Sequence, residues 1–246
     1  MPPPTHFLCI PLSSPSLARS WASFRADVAG TEAYGVPEDA VRPLGTLHLT
    51  LGVMRLERDS LARAVEVLEG LRPREVLEAL RAERRPSSSN SLSFSASSSA
   101  SSSSSGTLRL PVTMRGLHAM PAASRATVLY APPADGEGLL RGFCDRLRAS
   151  FLSSGLMVKE DRPLLLHATV VNTIYSKAGP KGGRGGRGRN RPRLVMDARE
   201  LLRRYDDHIW AEDLTVTKIA LCRMGAKAVE GSDGDQAYEV EAETEM

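Results

Sequence analysis

The chain is poor in cysteine and has no long apolar run. Its three cysteines, Cys9, Cys144 and Cys222, are scattered over 246 residues with no CxxC pair. That spacing offers neither a disulfide framework nor a cysteine zinc site, and it fits a reducing compartment. Each sits among apolar neighbours and reads as a small core residue rather than a nucleophile. With no run of about 18 apolar residues, no membrane span is expected. Residues 1–5 lack a basic region and an apolar stretch, so no secretory signal is expected either. Apolar residues make up only 41% of the chain, and the deficit is local. Residues 87–105 hold 14 serines in 19 positions, and residues 177–193 hold seven basic and no acidic residues among glycines. The remainder has an ordinary globular composition, enough for one large domain or two lobes. The net charge of +3 is mild, so its distribution carries more than its size.

One short phrase occurs twice. The chain reads Leu47-His48-Leu49-Thr50-Leu51 and, 119 residues later, Leu166-His167-Ala168-Thr169-Val170. Such apolar runs predict buried strands, on which residues two apart share a face. His48 and Thr50 then point one way, and Leu47, Leu49 and Leu51 point into a core. His167 and Thr169 repeat the pattern against Leu166, Ala168 and Val170. Two such strands face to face would gather two imidazoles and two hydroxyls around one small volume.

The surrounding pattern repeats as well. His6 to Leu12 predicts a strand, and Leu17, Trp21, Phe24 and Val28 lie on one face of a helix. A loop over 31–45 leads to the first motif strand at 46–54. A helical stretch with Asp59 as N-cap follows and is interrupted at Pro73. After the serines, strands are predicted over 107–114 and 126–131. Next comes a helix with Leu140, Phe143, Leu147 and Phe151 on one face, a short strand at 156–159, and the second motif strand at 164–174. Beyond the Gly/Arg stretch, a helix capped by Asp197 and Glu200 over 197–205, a strand at 215–222 and a last strand at 238–242 complete the chain. The acidic end, 230–245, otherwise reads as a solvated terminus. This order predicts an α+β, bilobal fold: two similar lobes whose antiparallel sheets flank a central cleft, with helices on the outer faces. The division is lobe one at about 5–84 plus the C-terminal strands and lobe two at about 107–176. A Ser-rich insertion at 86–106, too poor in apolar groups to offset its ordering entropy, and a Gly/Arg-rich loop at 177–193 interrupt it.

The paired motif suits phosphodiester chemistry. One imidazole takes a proton from the attacking oxygen and the other gives one to the leaving oxygen, which histidine does near neutral pH. Thr50 and Thr169 would donate to the non-bridging oxygens, where charge builds. No metal and no cofactor are needed, and neither motif supplies a third ligand for a catalytic zinc. His6, His118 and His208 stand alone and read as surface or core residues. Tyr175, eight residues past His167, would face the cleft if the strand ran that far, which makes it a base-stacking candidate. Arg184, Arg187, Arg189 and Arg191 form a flexible basic tract able to track an RNA backbone. The bland alternative for the tract is a solvated loop. It is not a phosphate-binding P-loop, since no Gly-Lys-Ser/Thr follows at the right offset.

These residues resemble the two-histidine phosphoesterase (RNA-ligase-like) superfamily, whose signature is a pair of His-hydrophobic-Ser/Thr-hydrophobic motifs. Gly155-Leu156-Met157-Val158-Lys159-Glu160, the segment 166–173 and Met196-Asp197-Ala198-Arg199-Glu200-Leu201-Leu202 narrow the match. They are similar to the phosphoesterase-like domain shared by A-kinase anchor protein seven and activating signal cointegrator complex subunit one, closer to the latter. The resemblance covers residues 5–242 outside the two insertions. It implies a bilobal fold with nucleotides or RNA ends in the cleft, His48 and His167 as the catalytic pair, and Thr50 and Thr169 as phosphate donors. The expected function is a metal-independent phosphoesterase, acting as a monomer in the nucleus or cytoplasm. The alternative is a non-catalytic nucleotide- or RNA-binding subunit of a nuclear transcription-coactivator or DNA-repair complex. No segment reads as a kinase-anchoring helix.

Overall fold

The computed structural model describes residues 2–29, 34–84, 108–159, 162–177, 194–232 and 234–246. The Ser-rich insertion and the four arginines of the basic tract lie outside these residues.

The first half of the chain builds β1 (His6–Pro11), α1 (Pro15–Ala29), β2 (His48–Met54), α2 (Arg58–Glu69) and α3 (Pro73–Arg84). Helix α1 follows its apolar stripe: Leu17, Phe24 and Val28 are buried and Trp21 packs at the edge of the core. Its start is fixed by Ser14, whose Oγ accepts the Leu17 N–H at 3.1 Å, with Pro15 in the first turn where no N–H is needed. For α2 the N-cap is Glu57 rather than Asp59. The Glu57 N–H donates to Ser60 Oγ at 2.7 Å in a reciprocal capping box, and this places the helix start two residues earlier. Pro73 opens α3, so the interruption read from sequence is the joint between two helices.

The second half contributes β3 (Pro111–Arg115), β4 (His118–Met120), β5 (Val128–Ala131), β6 (Pro133–Ala134), α4 (Leu140–Ser153) and β7 (Ala168–Asn172). The chain ends with α5 (Arg199–Arg204), β8 (Ile209–Thr215), β9 (Lys218–Arg223), β10 (Lys227–Ala228), β11 (Gln236–Ala237) and β12 (Val240–Glu245). All four residues of the predicted α4 stripe are buried. The alternation read over 215–222 proves to be the end of one strand and most of a second, β8 and β9. The expected strand at 156–159 is a single antiparallel bridge from Met157 to Met54. Helix α5 is shorter than 197–205: Asp197 accepts the Arg199 N–H at 3.1 Å and pairs with its guanidinium, and Ala198 precedes the helix with no side-chain cap. The acidic end is not a loose terminus. Strand β12 pairs with β9, and Glu241 and Glu243 meet Arg223 and Lys218, both at 2.7 Å.

The fold is α+β and bilobal. A four-stranded antiparallel sheet, β12-β9-β1-β2, forms one lobe; the sheet β4-β5-β7 belongs to the other, and β6-β3-β8 continues it, because β3 and β4 run on from one another opposite β5 and β6. The lobes are laced together. Helix α4, from the second half of the chain, packs on β2 and α3 from the first, and α1 packs on β8. The main apolar core runs through both lobes, with Phe24, Phe143, Phe151 and Trp210 fully buried, and a smaller cluster of Phe7, Cys9, Ala220 and Cys222 is separate from it. Among the described residues, no helix is long and apolar enough to cross a membrane.

The two motif strands carry the same irregularity. In β2, Thr50 and Gly52 oppose the consecutive residues Cys9 and Leu8, leaving Leu51 as an extra residue. In β7, Thr169 and Val171 oppose Tyr130 and Leu129, leaving Val170 extra. Each bulge falls three residues after its histidine and reverses the alternation beyond it. Hence Leu51 and Gly52 are both buried, as are Val170 and Val171.

Candidate functional site

β2 and β7 are edge strands of their sheets and lie beside one another, which brings the two motifs together. His48, Thr50, His167 and Thr169 are all half-buried, while Leu47, Leu49, Ala168 and Val170 on the opposite faces are buried. His167 sits one residue before β7 begins. The alternation inferred from sequence therefore holds as far as each bulge.

Both imidazoles are held in the same way. Nδ1 of His48 lies 2.7 Å from the Thr46 carbonyl, and Nδ1 of His167 lies 2.8 Å from the Leu165 carbonyl. A carbonyl only accepts, so Nδ1 carries the proton in each ring and Nε2 is left free for a ligand. Neither the Thr50 nor the Thr169 hydroxyl has a hydrogen-bond partner among the described residues. Four donor or acceptor groups thus meet with none spent on the protein at the ligand side.

The two histidines differ in their surroundings. Phe7 packs 4.8 Å from the His48 ring and Tyr238 packs edge-on at 5.4 Å. This burial pushes the His48 pKa down to about 4; the Thr46 carbonyl opposes the shift, and His167 and Arg42 reinforce it. His48 is therefore neutral at neutral pH. Tyr130 lies 5.3 Å from the His167 ring.

Tyr175 is positioned by a turn and not by the strand expected from sequence. The strand stops at Asn172, whose side chain accepts the Ile174 N–H at 3.1 Å and starts a 3-10 turn over Thr173–Tyr175. That turn sets the Tyr175 ring against the Arg42 guanidinium, 3.9 Å from its centroid. Arg42 and Tyr238 are the residues sequence reasoning missed. Arg42 lies in a stretch read as loop, but its N–H donates to the Val170 carbonyl at 2.8 Å, and Val41 bridges Val171. Tyr238 comes from the segment before β12 and carries no local signal.

His208 and His6 are not part of this group. His208 packs against Tyr205 and Trp210, and His6 faces Glu241 at 3.4 Å. Among the described residues no cluster of three or more metal-ligating side chains occurs.

A bilobal α+β fold with a His-x-Thr motif on each of two facing edge strands defines the class, the two-histidine phosphoesterase superfamily. Residues 4–246 match the family model described as "AKAP7 2′5′ RNA ligase-like domain", and the chain belongs to that family. Among curated relatives it is 26% identical over 217 residues to mouse activating signal cointegrator 1 complex subunit 1, covering 83% of this chain and 54% of the relative. It is 27% identical over 114 residues to an uncharacterized Schizosaccharomyces pombe protein, covering 46% of this chain and 47% of that one. The chain thus spans about half the length of the curated relatives it matches. Among solved structures, E. coli LigT complexed with NADP+ aligns with a TM-score of 0.50 at 16% identity over 100% of this chain and 99% of that one. TT0787 of Thermus thermophilus aligns with a TM-score of 0.50 at 15% identity over 98% and 97%. Both likenesses concern the fold.

Proposed function

We propose that the chain is a metal-independent phosphoesterase acting on a cyclic phosphodiester at an RNA end or on a related nucleotide. The observation that carries this is the matched pair of imidazoles, each with Nδ1 tied to the carbonyl two residues before it and Nε2 free, beside two unspent threonine hydroxyls. In hydrolysis of a 2′,3′-cyclic phosphate, His48, neutral at working pH, takes a proton from water through Nε2 as the water oxygen attacks phosphorus. The bond from phosphorus to one ribose oxygen breaks, and His167 gives that oxygen a proton through its own Nε2. The products are a phosphomonoester and a hydroxyl, and the two histidines have exchanged protonation states. Thr50 and Thr169 donate to the non-bridging oxygens as charge gathers there. Tyr175, about half exposed, offers a ring face to a base. The basic tract with Arg184, Arg187, Arg189 and Arg191 supplies electrostatic attraction for RNA.

The test is hydrolysis of an oligoribonucleotide ending in a 2′,3′-cyclic phosphate, with EDTA present. The wild type should turn it over, and His48→Ala and His167→Ala should each lose about a hundredfold or more. Activity that requires added metal, or that survives both substitutions, overturns the reading.

A second reading rests on the likeness to a subunit of a multiprotein complex. In it the same cleft binds a nucleotide or RNA end within a cointegrator-type nuclear assembly without turning it over. Absence of turnover, with a nucleotide raising the melting temperature of the wild type but not of the histidine variants, favours this second reading.

A further inference from the structure

Beyond the two histidines, the residue with the least explained position is Arg42. It is buried, with 6% of its surface exposed. A buried guanidinium is normally matched by a carboxylate, because leaving its charge unpaired is costly. Among the described residues, Arg42 has none. Its side-chain contacts are the Tyr238 hydroxyl, at 3.5 Å from Nη2, and the Tyr175 ring.

Its backbone is held firmly. The N–H donates to the Val170 carbonyl and the carbonyl accepts from Trp21 Nε1, both at 2.8 Å. Arg42 is thus anchored at the bulge of β7, the strand that begins just after His167, while its side chain reaches the tyrosine packed on His48.

Arg42 also lines a cavity of about 970 Å³, together with Trp21, Tyr175, Lys177, Asp235 and Gln236. The carboxylates on this cavity are already engaged. Glu38 pairs with Arg25 at 3.0 Å, and Asp39 accepts the Lys177 N–H at 2.6 Å. Asp235 accepts the Gly45 and Gln236 N–H groups at 3.1 and 2.9 Å. Among the described residues none of these carboxylates pairs with the Arg42 guanidinium, which leaves its charge open to a phosphate from outside the protein.

We infer that Arg42 is a second phosphate subsite: with the histidines on one phosphate, Arg42 takes the phosphate on the 5′ side of the same nucleotide. The guanidinium fork suits a phosphate, and stacking on Tyr175 fixes its plane. The preferred ligand is then a nucleotide bearing two phosphates, free or at the end of an RNA strand, rather than a nucleoside monophosphate. This rests on the histidine cleft being the site proposed above for the first phosphate.

Calorimetric titration with EDTA present tests it without requiring turnover. The probes are adenosine 3′-monophosphate, adenosine 3′,5′-bisphosphate and the dinucleotide ApA carrying a 3′-phosphate. The wild type should bind the bisphosphate about tenfold tighter than the monophosphate. Arg42→Gln should bring the two within about twofold while leaving the monophosphate affinity in place, and Arg42→Lys should keep part of the difference. A dinucleotide that binds as tightly as the bisphosphate identifies an RNA end as the source of the second phosphate; a weaker one identifies a free nucleotide. Equal affinities in the wild type overturn the inference even if Arg42→Gln fails to fold. A preference that survives both substitutions overturns it as well. Loss of the phosphoesterase reading looks different: no cyclic-phosphate hydrolysis, with the bisphosphate preference and its Arg42 dependence intact.

Discussion

At the scale of single residues, the most informative contrast is between two chemically identical side chains. His48 lies between Phe7 and Tyr238, and its pKa falls to about 4 against about 6.5 in an unfolded chain. Between those values the unfolded chain holds more protons than the folded one. Stability therefore rises with pH across this window, is complete above it, and is lost as pH falls from about 6.5 towards about 4. The loss should reach up to about 3 kcal/mol, and a His48→Gln variant should lack that share of it. Urea unfolding at pH 7 and at pH 4.5, wild type beside variant, reads this directly. An NMR titration of the His48 ring midway at or above the ordinary imidazole value would refute it. The threonines allow a cleaner separation of chemistry from folding. Since neither hydroxyl is bonded to protein among the described residues, Thr50→Val and Thr169→Val should melt within about 2 °C of the wild type. Each should nonetheless slow turnover by about a hundredfold if the hydroxyls meet developing charge. A rate unchanged in both would remove the threonines from the mechanism.

At the scale of elements, the site depends on a joint just ahead of the first motif. Gly45 lies in the 3-10 turn before β2, and its N–H donates to Asp235. A Cβ at Gly45 would sit 2.6 Å from the Gln236 carbonyl oxygen, a backbone atom with little room to move. Gly45→Ala should therefore push the Asp235–Tyr238 segment outward, cost about 1–3 kcal/mol, and expose His48. The check is thermal melting together with the His48 titration, which should shift upward as Tyr238 leaves; a stable variant with unchanged titration would show that the joint does not matter. The same element explains what could and could not be read beforehand. Helices α1 and α4 were legible because their burial follows a 3.6-residue period set by one core. Strand β8 was not. Its buried residues, Trp210, Ala211 and Leu214, do not alternate, because its pairing with β3 slips on both sides of Met114 and Asp213 takes a φ of 50°. Its existence is decided by a partner about a hundred residues away. The bulges after Thr50 and Thr169 were hidden for the same reason, since a bulge is a property of a pair of strands. Arg42 and Tyr238 escaped notice because their contact joins positions 196 residues apart.

At the scale of the whole molecule, the repeated motif was legible because two copies of strand, helix and His-x-Thr strand impose their symmetry on the chain order. The sequence could not disclose that the helices cross between lobes, α4 onto β2 and α3, so that neither half closes its core alone. Charge is distributed just as unevenly as structure. The net charge is only +3, yet residues 178–192 hold Lys181, Arg184, Arg187, Arg189 and Arg191 with no acidic residue. The residue before that stretch, Lys177, lines the cavity beside Arg42. If the tract recruits RNA, each cation that neutralises a phosphate releases counterions, and the slope of log affinity against log salt steepens by about 0.7 per contact on a single strand. Deleting residues 178–192 should then flatten that slope by up to about 3.5 and weaken RNA binding at low salt. Turnover of a cyclic mononucleotide, too short to reach the tract, should be unchanged. Fluorescence anisotropy of a labelled oligoribonucleotide across a salt series separates the cases. A parallel loss of affinity at every salt concentration would point to damage in the cleft. Unchanged affinity at low salt would leave the tract as a solvated loop, and RNA attraction would have to come from the cleft itself.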